Sequence, residues 1–382
     1  MVDSTRNRLR VAQVFEPGVD GVFRVVELLV RNLIEEGHEV SIAYSDRRAS
    51  SALFELVEWV ESHGGSTLNL GVRNGPELRD ISAWRNLRRW LLKVRPQAVH
   101  AHSSKAGALV RSMGFAKKEE PRIFYTPHAY YGLSGRRGIK ASIFDQVERR
   151  LGKSGMSCMT SEEEERFAHT RLAIPAHKTR LVRNCVDTER FRAGPCAEAR
   201  RDLGIPQDAT VLGAVGRLSF QKDPQTMYRA FAQSLAKNPS LYLLHIGEGE
   251  LQQELSQLAT DLGIGERVVR KNYFDDTAPV YRAMDGLIMT SRYEGLSMVS
   301  LEALSSNLPL ILSEVPGIVD LEPQDLSHCW IVPVGDVGAF SRAIDAWGTS
   351  RGARVCNHRA RAQERFGIQP WLEVHRRLYA GA

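Results

Sequence analysis

Leu9-Arg10-Val11-Ala12-Gln13-Val14-Phe15, the turn Glu16-Pro17-Gly18-Val19-Asp20, and the run Gly21-Val22-Phe23-Arg24-Val25-Val26-Glu27-Leu28-Leu29-Val30-Arg31-Asn32-Leu33-Ile34-Glu35-Glu36 decide the fold. The first segment is a short apolar run and reads as a buried strand. In the last, Val22, Val25, Val26, Leu29, Val30, Leu33 and Ile34 recur at helical spacing. Gly37 supplies a left-handed C-cap, and Glu39–Tyr44 is the next strand. This is a βαβ unit.

The same alternation continues outward. Ser66–Leu70, Ala98–His102, Arg122–Thr126, Met156–Thr160 and Thr179–Val182 read as strands, with helical patterns between most of them. After a Gly- and Pro-containing connection over Asp187–Pro206 the pattern restarts at Thr210–Val215. Leu241–Ile246, Arg267–Lys271, Gly286–Met289, Leu308–Leu312 and Trp330–Val332 follow, again separated by amphipathic helices. Strands alternating with helices imply mainly parallel sheets. The fold class is α/β: two facing, doubly wound, Rossmann-like domains with a ligand cleft between them at the carboxyl ends of the strands. The first is expected over residues 1–190 and the second over 191–365. A last helix, 366–382, is expected to pack back on the first.

The chain has 382 residues, enough for two domains, and its 43% hydrophobic and 25% charged residues are ordinary for a globular protein. Five scattered cysteines without CxxC spacing argue against a disulfide framework or a zinc site. No signal-peptide pattern follows Met1, and no apolar run is long enough to span a bilayer, so a cytoplasmic location is expected. Net charge is +6, unevenly distributed: residues 1–200 hold 33 Lys and Arg against 24 Asp and Glu, and the remainder 18 against 21. A basic first half suits a polyanionic partner or the anionic inner face of a membrane. No nucleic-acid recognition motif accompanies it.

Ser291-Arg292-Tyr293-Glu294-Gly295-Leu296-Ser297-Met298-Val299-Ser300-Leu301-Glu302 is the densest functional region. A strand ends near Thr290, a Gly turn follows, and a helix starts around Ser297. Amides from Leu296 to Val299 then form an anion site of the phosphate-binding kind. Glu302 falls where it can accept hydrogen bonds from vicinal hydroxyls, and Glu294 sits on the turn. The plainer alternative is that both glutamates merely complement the helix dipole. Gly216-Arg217-Leu218-Ser219-Phe220-Gln221-Lys222-Asp223-Pro224 follows another strand, and Asp223-Pro224 reads as a helix N-cap with Pro at N1. Arg217 and Lys222 on this loop suit a diphosphate. Gly247-Glu248-Gly249 also follows a strand, and by itself reads as a plain tight turn.

In the first half, the Gly18–Gly21 turn lacks GxGxxG and GxxxxGK[ST], which disfavours nicotinamide and P-loop enzymes. It still offers amides at a helix N-terminus. His100, His102 and His128 lie at strand ends but do not form a metal set. No Asp-x-Asp occurs, so a metal-clamped nucleotide-sugar site is absent. Of the two basic stretches, 81–95 reads as a sheet-packing helix with a solvated basic face. In the other, 136–150, Arg136, Arg137 and Lys140 are expected at the rim of the cleft.

In order along the chain, these motifs resemble those of the retaining family-4 glycosyltransferases of GT-B architecture. The set comprises Gly18, Gly21 and Gly37-His38-Glu39-Val40, His100-Ala101-His102-Ser103-Ser104-Lys105-Ala106-Gly107, and Tyr125-Thr126-Pro127-His128. It continues with Asn184-Cys185-Val186-Asp187, Gly216-Arg217, Lys222-Asp223, Gly247-Glu248-Gly249 and the pair Glu294 and Glu302. The resemblance implies a nucleotide-diphosphate-sugar donor, with UDP the default base and GDP the alternative, retention and no metal or other cofactor. By it, Arg217 and Lys222 hold the donor diphosphate, Glu302 the ribose, amides near Ser297, Met298 and Val299 a phosphate, and Glu294 the donor sugar. Gly216 and Gly247 line the donor, Gly18 and Gly21 close over it, and His128 sits beside the anomeric carbon. His102, Lys105, Arg136, Arg137 and Lys140 are acceptor-side candidates. The His-x-His-Ser-Ser-Lys-Ala-Gly and Thr-Pro-His stretches resemble bacterial enzymes of surface-polysaccharide or O-antigen synthesis, which implies a lipid-linked or glycan acceptor and peripheral membrane contact. A small soluble acceptor and a non-catalytic sugar-nucleotide or polyanion-binding module are the competing readings. Cys185, Ser297 and Asn307 stand where the family usually has Gly.

Overall fold

The computed structural model describes residues 8–115, 121–134, 138–272, 274, 276–350 and 357–381. The chain forms two compact units, Met1–Arg183 with Gln369–Ala382, and Asn184–Ile368. The division falls ahead of the Gly- and Pro-containing connection because Val186 pairs with the second unit: its amide donates to Phe366 O at 2.8 Å, and it bridges Gly367.

The first unit holds a seven-stranded sheet of β1 (Arg10–Phe15), β2 (Glu39–Tyr44), β3 (Thr67–Asn69), β4 (Ala98–His102), β5 (Arg122–Thr126), β6 (Met156–Met159) and β7 (Thr179–Leu181), in the order β3-β2-β1-β4-β5-β6-β7. The second holds six strands, β8 (Thr210–Val215), β9 (Leu241–Ile246), β10 (Val268–Lys271), β11 (Gly286–Met289), β12 (Leu310–Ser313) and β13 (Cys329–Val332), in the order β10-β9-β8-β11-β12-β13. Every pairing between these strands is parallel. In each sheet the order reverses once, between β1 and β4 and between β8 and β11. Parallel sheets bury both faces, which is why their strands read as near-continuous apolar runs. Such a reversal leaves the two loops at the carboxyl ends of the flanking strands uncovered by a crossover helix, and it is there that α/β proteins place their sites.

The opening βαβ unit forms as its periodicity predicts. The helix Asp20–Glu35 turns Val25, Val26, Leu29, Val30 and Leu33 into the core, and Gly37 takes φ 87°. His38 N then donates to Leu33 O at 2.9 Å, which closes the helix end. The helix Arg79–Val94 buries Ala83, Leu87, Trp90 and Leu91 against the sheet, so this basic stretch is a packing helix. The last helix, Ile368–Ala380, buries Trp371, Leu372, His375 and Tyr379. Arg111 and Glu148 form a buried ion pair at 2.7 Å, with the guanidinium 3.6 Å over the Tyr125 ring.

Candidate active site

In the second unit, loop 216–223 leaves β8 and loop 290–297 leaves β11, the two strands at the reversal. Four hydrogen bonds join these loops. Arg292 N donates to Gln221 O (2.8 Å), Gln221 Nε2 to Tyr293 O (3.1 Å), and Thr290 Oγ1 to the carbonyls of Lys222 (3.0 Å) and Asp223 (2.9 Å). Arg292 adds an ion pair to Asp223 Oδ1 at 3.0 Å and lies 4.6 Å over the Phe220 ring. The result is that Lys222 Nζ sits 2.5 Å from Glu294 Oε1, both side chains mostly withdrawn from solvent. Arg217 stands exposed on the same loop as Lys222.

Asp223 departs from its expected role. It does precede Pro224 at N1, but its φ is 45° and its carboxylate caps no amide. Instead Oδ2 accepts from Thr226 Oγ1 at 2.9 Å and Oδ1 pairs with Arg292. Its left-handed backbone turns the chain sharply just after Lys222.

The third loop explains its own glycines. Gly247 takes φ 147°, and a Cβ there would lie 2.0 Å from Gly216 O; one on Gly249 would lie 2.3 Å from Leu218 O. Leu218 N donates to Glu248 O at 2.9 Å, so backbone packs directly on backbone. Gly247 therefore supports the loop that carries Arg217 and Lys222.

The helix Met298–Ser305 begins immediately after the Glu294 turn. Its N-cap, Ser297, has φ −71° and ψ 125° and makes no side-chain cap bond. The first amides of a helix lack intrahelical acceptors and carry the positive end of its dipole, so the segment around Met298 and Val299 is suited to an anion. Glu302, 2% exposed, accepts a 2.5 Å hydrogen bond from Tyr281 Oη. Of the residues standing where Gly is usual, Ser297 needs no left-handed backbone, and Asn307 takes it at φ 59°, which asparagine tolerates. Cys185 is fully buried.

In the first unit, β1, β4 and β5 bring together a histidine network. His102 Nε2 lies 2.8 Å from Gln13 Oε1, and Gln13 Nε2 donates to Tyr379 Oη at 3.1 Å. His102 Nδ1 lies 3.0 Å from His128 Nε2. With the Gln13 amide oriented this way, His102 donates from Nε2 and accepts at Nδ1. His128 then donates from Nε2, and its lone pair sits on Nδ1. His100 bridges Tyr379 Oη (2.7 Å) and Thr126 Oγ1 (2.8 Å). Burial holds His100 and His102 well below the ordinary imidazole value and takes His128 down to about 3, so the network is neutral near pH 7.

His128 and Ala129 both occupy left-handed backbone, at φ 52° and 84°. Glu164, fully buried, holds them there: its carboxylate accepts from Ala129 N, Thr160 N (2.7 Å) and Thr160 Oγ1 (2.8 Å). Glu164 belongs to the run Glu162-Glu163-Glu164-Glu165, which reads in sequence as a solvated helix start, and nothing in that run marks the one that points inward. Gln13 and Tyr379 also escaped sequence reading, although a glutamine inside the apolar β1 run is a usable signal.

Two acceptor-side expectations change. His102 is 1% exposed with both nitrogens engaged, which makes it a positioning group for His128. Lys105 Nζ is spent internally, 2.5 Å from Asp80 Oδ2 and 2.6 Å from Gly75 O. Arg136 and Arg137 lie outside the described residues, as does the side chain of Lys140. Gly18 is tied down by Gly18 N to Arg48 O (2.8 Å) and Ser50 N to Gly18 O (3.1 Å), and a Cβ there would meet Leu53 at 2.5 Å. The helix starts at Asp20, so Gly21 lies in its first turn and is not part of the loop.

The buried neutral histidines make stability pH-dependent. His128 and His245 fall to about 3 and His375 to about 4 in the native state, against 6.5 for an ordinary imidazole. Between those values the unfolded chain binds more protons than the native one. Stability is therefore complete above about pH 6.5 and is lost as pH falls toward 3. Urea unfolding is expected to show a lower midpoint at pH 5 than at pH 7.5 with an unchanged slope; equal midpoints would contradict the network.

Two doubly wound parallel units, the second with a basic loop and a Glu turn at its strand-order reversal, define the GT-B class of sugar-transferring enzymes. Family models agree: residues 19–190 match Glycosyltransferase Family 4 and residues 197–365 match Glycosyl transferases group 1. The chain belongs to the family-4 glycosyltransferases. It is 26% identical over 352 residues to the UDP-Gal:alpha-D-GlcNAc-diphosphoundecaprenol alpha-1,3-galactosyltransferase of Escherichia coli, covering 89% of this chain and 88% of that one. It is 34% identical over 170 residues to the lipopolysaccharide core biosynthesis glycosyltransferase LpsE of Rhizobium meliloti, covering 44% and 46% of the two chains. In fold it is similar to Anabaena Alr3699/HepE, solved in complex with UDP and glucose, with a TM-score of 0.81 at 17% identity over 98% of this chain and all of that one.

Proposed function

We propose that the chain moves a sugar from UDP to a hydroxyl of a lipid-linked saccharide in surface-polysaccharide synthesis, with retention and without a metal. The observation that carries this is the Lys222–Glu294 pair, set 2.5 Å apart at the strand-order reversal with Arg217 on the same loop. The name of the E. coli relative supports the donor base and a lipid-linked acceptor, and that of the Rhizobium relative supports lipopolysaccharide synthesis. The basic first half supports an anionic partner.

In this reading Arg217 and Lys222 offset the charge that grows on the diphosphate as the bond from the anomeric carbon to the phosphate oxygen breaks. The acceptor oxygen bonds the same face of that carbon, and its proton passes to the departing phosphate oxygen. Glu294 binds a hydroxyl of the sugar, Glu302 those of the ribose, and the amides at Ser297, Met298 and Val299 a phosphate. His128 presents its Nδ1 lone pair to a hydroxyl near the anomeric centre.

Thermal shifts across UDP-, GDP-, CDP- and TDP-sugars, in chelator, test the donor site. A UDP-sugar at about 100 times its Kd is expected to stabilise the chain by about 2.7 kcal/mol. The anomeric configuration of the product, read by NMR, tests retention. No shift with any donor, a shift that needs a divalent cation, or an inverted product would each overturn the corresponding part.

A further inference from the structure

Five hydrogen bonds run in one row through the first unit, from His128 to Thr126. His128 Nε2 meets His102 Nδ1 at 3.0 Å, and His102 Nε2 meets Gln13 Oε1 at 2.8 Å. Gln13 Nε2 donates to Tyr379 Oη at 3.1 Å, and that oxygen lies 2.7 Å from His100 Nδ1. His100 Nε2 ends the row 2.8 Å from Thr126 Oγ1. Strand geometry sets the members side by side. His100 and His102 alternate along β4 and so share a face, while the register places Gln13 of β1 against His100 and Thr126 of β5 against His102. Tyr379 comes from the last helix, and every member behind His128 is buried.

Each junction in the row needs one proton between two heavy atoms. In a dry interior a junction with two protons, or with none, is costly. The row therefore has two self-consistent orders, each the reverse of the other at every member. Tyr379 has a single hydroxyl proton. Because its oxygen accepts from Gln13, that proton goes to His100 Nδ1, and His100 gives its own from Nε2 to Thr126. All five bonds thus donate away from His128, which leaves the His128 lone pair on Nδ1. In the reverse order Tyr379 would donate to Gln13, the amide would be turned over, and His128 would carry its proton on Nδ1.

We infer that Tyr379 is a positioning residue for His128. Its hydroxyl locks the Gln13 amide in one orientation and, through His102, fixes which nitrogen of His128 carries the proton. The inference rests on the role given to His128 in the proposed function, because a ring protonated on Nδ1 donates where that role needs an acceptor. Its own readout uses neither donor nor acceptor.

The tautomer would be read in the full chain labelled with 15N-histidine, by two-bond proton–nitrogen NMR correlations at about pH 7.5. His128→Gln identifies the His128 signals by their loss. The parent is expected to show one His128 tautomer, protonated on Nε2. Tyr379→Phe keeps the ring that packs on Phe124, 5.3 Å between centroids, and removes only the oxygen. It is expected to give both tautomers, with kcat lower by about tenfold or more and donor KM little changed. Thr126→Val takes the terminal acceptor from His100 and is expected to move His128 toward Nδ1 protonation as well; it serves if Tyr379→Phe folds poorly. A parent protonated on Nδ1 would overturn the inference, as would a folded Tyr379→Phe variant that keeps the single parent tautomer. Mixed tautomers with unchanged kcat would uphold it and sink instead the role of His128 in the proposed function.

Discussion

Lys222→Ala is expected to lower kcat by about 10²–10³, the usual cost of removing one preorganised group that meets developing charge in a water-poor site. The ammonium lies 2.5 Å from Glu294 Oε1, with the two side chains 20% and 10% exposed. Removing it therefore does two things. On the proposed function it takes a cation away from the departing diphosphate, and it leaves a mostly buried carboxylate without its partner, at a cost of about 1–3 kcal/mol in stability. The double change Lys222→Ala with Glu294→Gln separates these effects. Stability is expected to return, since the stranded charge is gone, while turnover stays low. Melting curves and steady-state rates on the parent, the single and the double variant make the comparison. Recovery of turnover in the double variant would show that Lys222 matters only for packing.

Glu164→Ala is expected to be the second large effect, and it acts at a distance from any charge transfer. The carboxylate holds Ala129 N and the Thr160 amide and hydroxyl, fully out of water. Two non-glycine residues in left-handed backbone cost about 1–2 kcal/mol each, and Glu164 is what the turn relies on to stay there. Without it the His128 ring leaves its 3.0 Å contact with His102. A displacement of about 1 Å is enough to cost about 10²-fold in rate. The expected signature is a fall in kcat with donor KM little changed, because the loops proposed to hold the donor belong to the other unit. Glu164→Gln, which keeps one acceptor oxygen, should recover part of the loss. A variant that melts lower but turns over normally would leave Glu164 a purely structural residue.

The same two residues show how differently sequence reading fares. Lys222 was legible because it lies on a loop of known place: a strand precedes it, a Pro-started helix follows, and a glycine opens the turn. Glu294 and Glu302 were legible for the same reason. Glu164 was not, since four consecutive glutamates give no sign of which one turns inward, and that depends on where β6 ends against β5. Lys105 and His102 misled in the opposite direction. Each stands in a motif that suggests contact with substrate, yet Asp80 and Gly75 take the lysine, and Gln13 takes the imidazole. Those partners lie 25 or more positions away in the chain.

What the sequence determined by itself was most of what has a local period or a local turn. The thirteen strands, the helices between them, the left-handed Gly37 and the loops carrying Arg217, Lys222 and Glu294 follow from hydrophobic spacing and backbone stereochemistry within a few residues. Only the tertiary structure decided which groups meet across the sheets: Lys222 with Glu294, His102 with Gln13 and His128, Tyr379 of the last helix with His100 of β4. Such pairings depend on strand order and register, which a pattern of period two or 3.6 does not encode, and the proton positions in the histidine network exist only once that order is set.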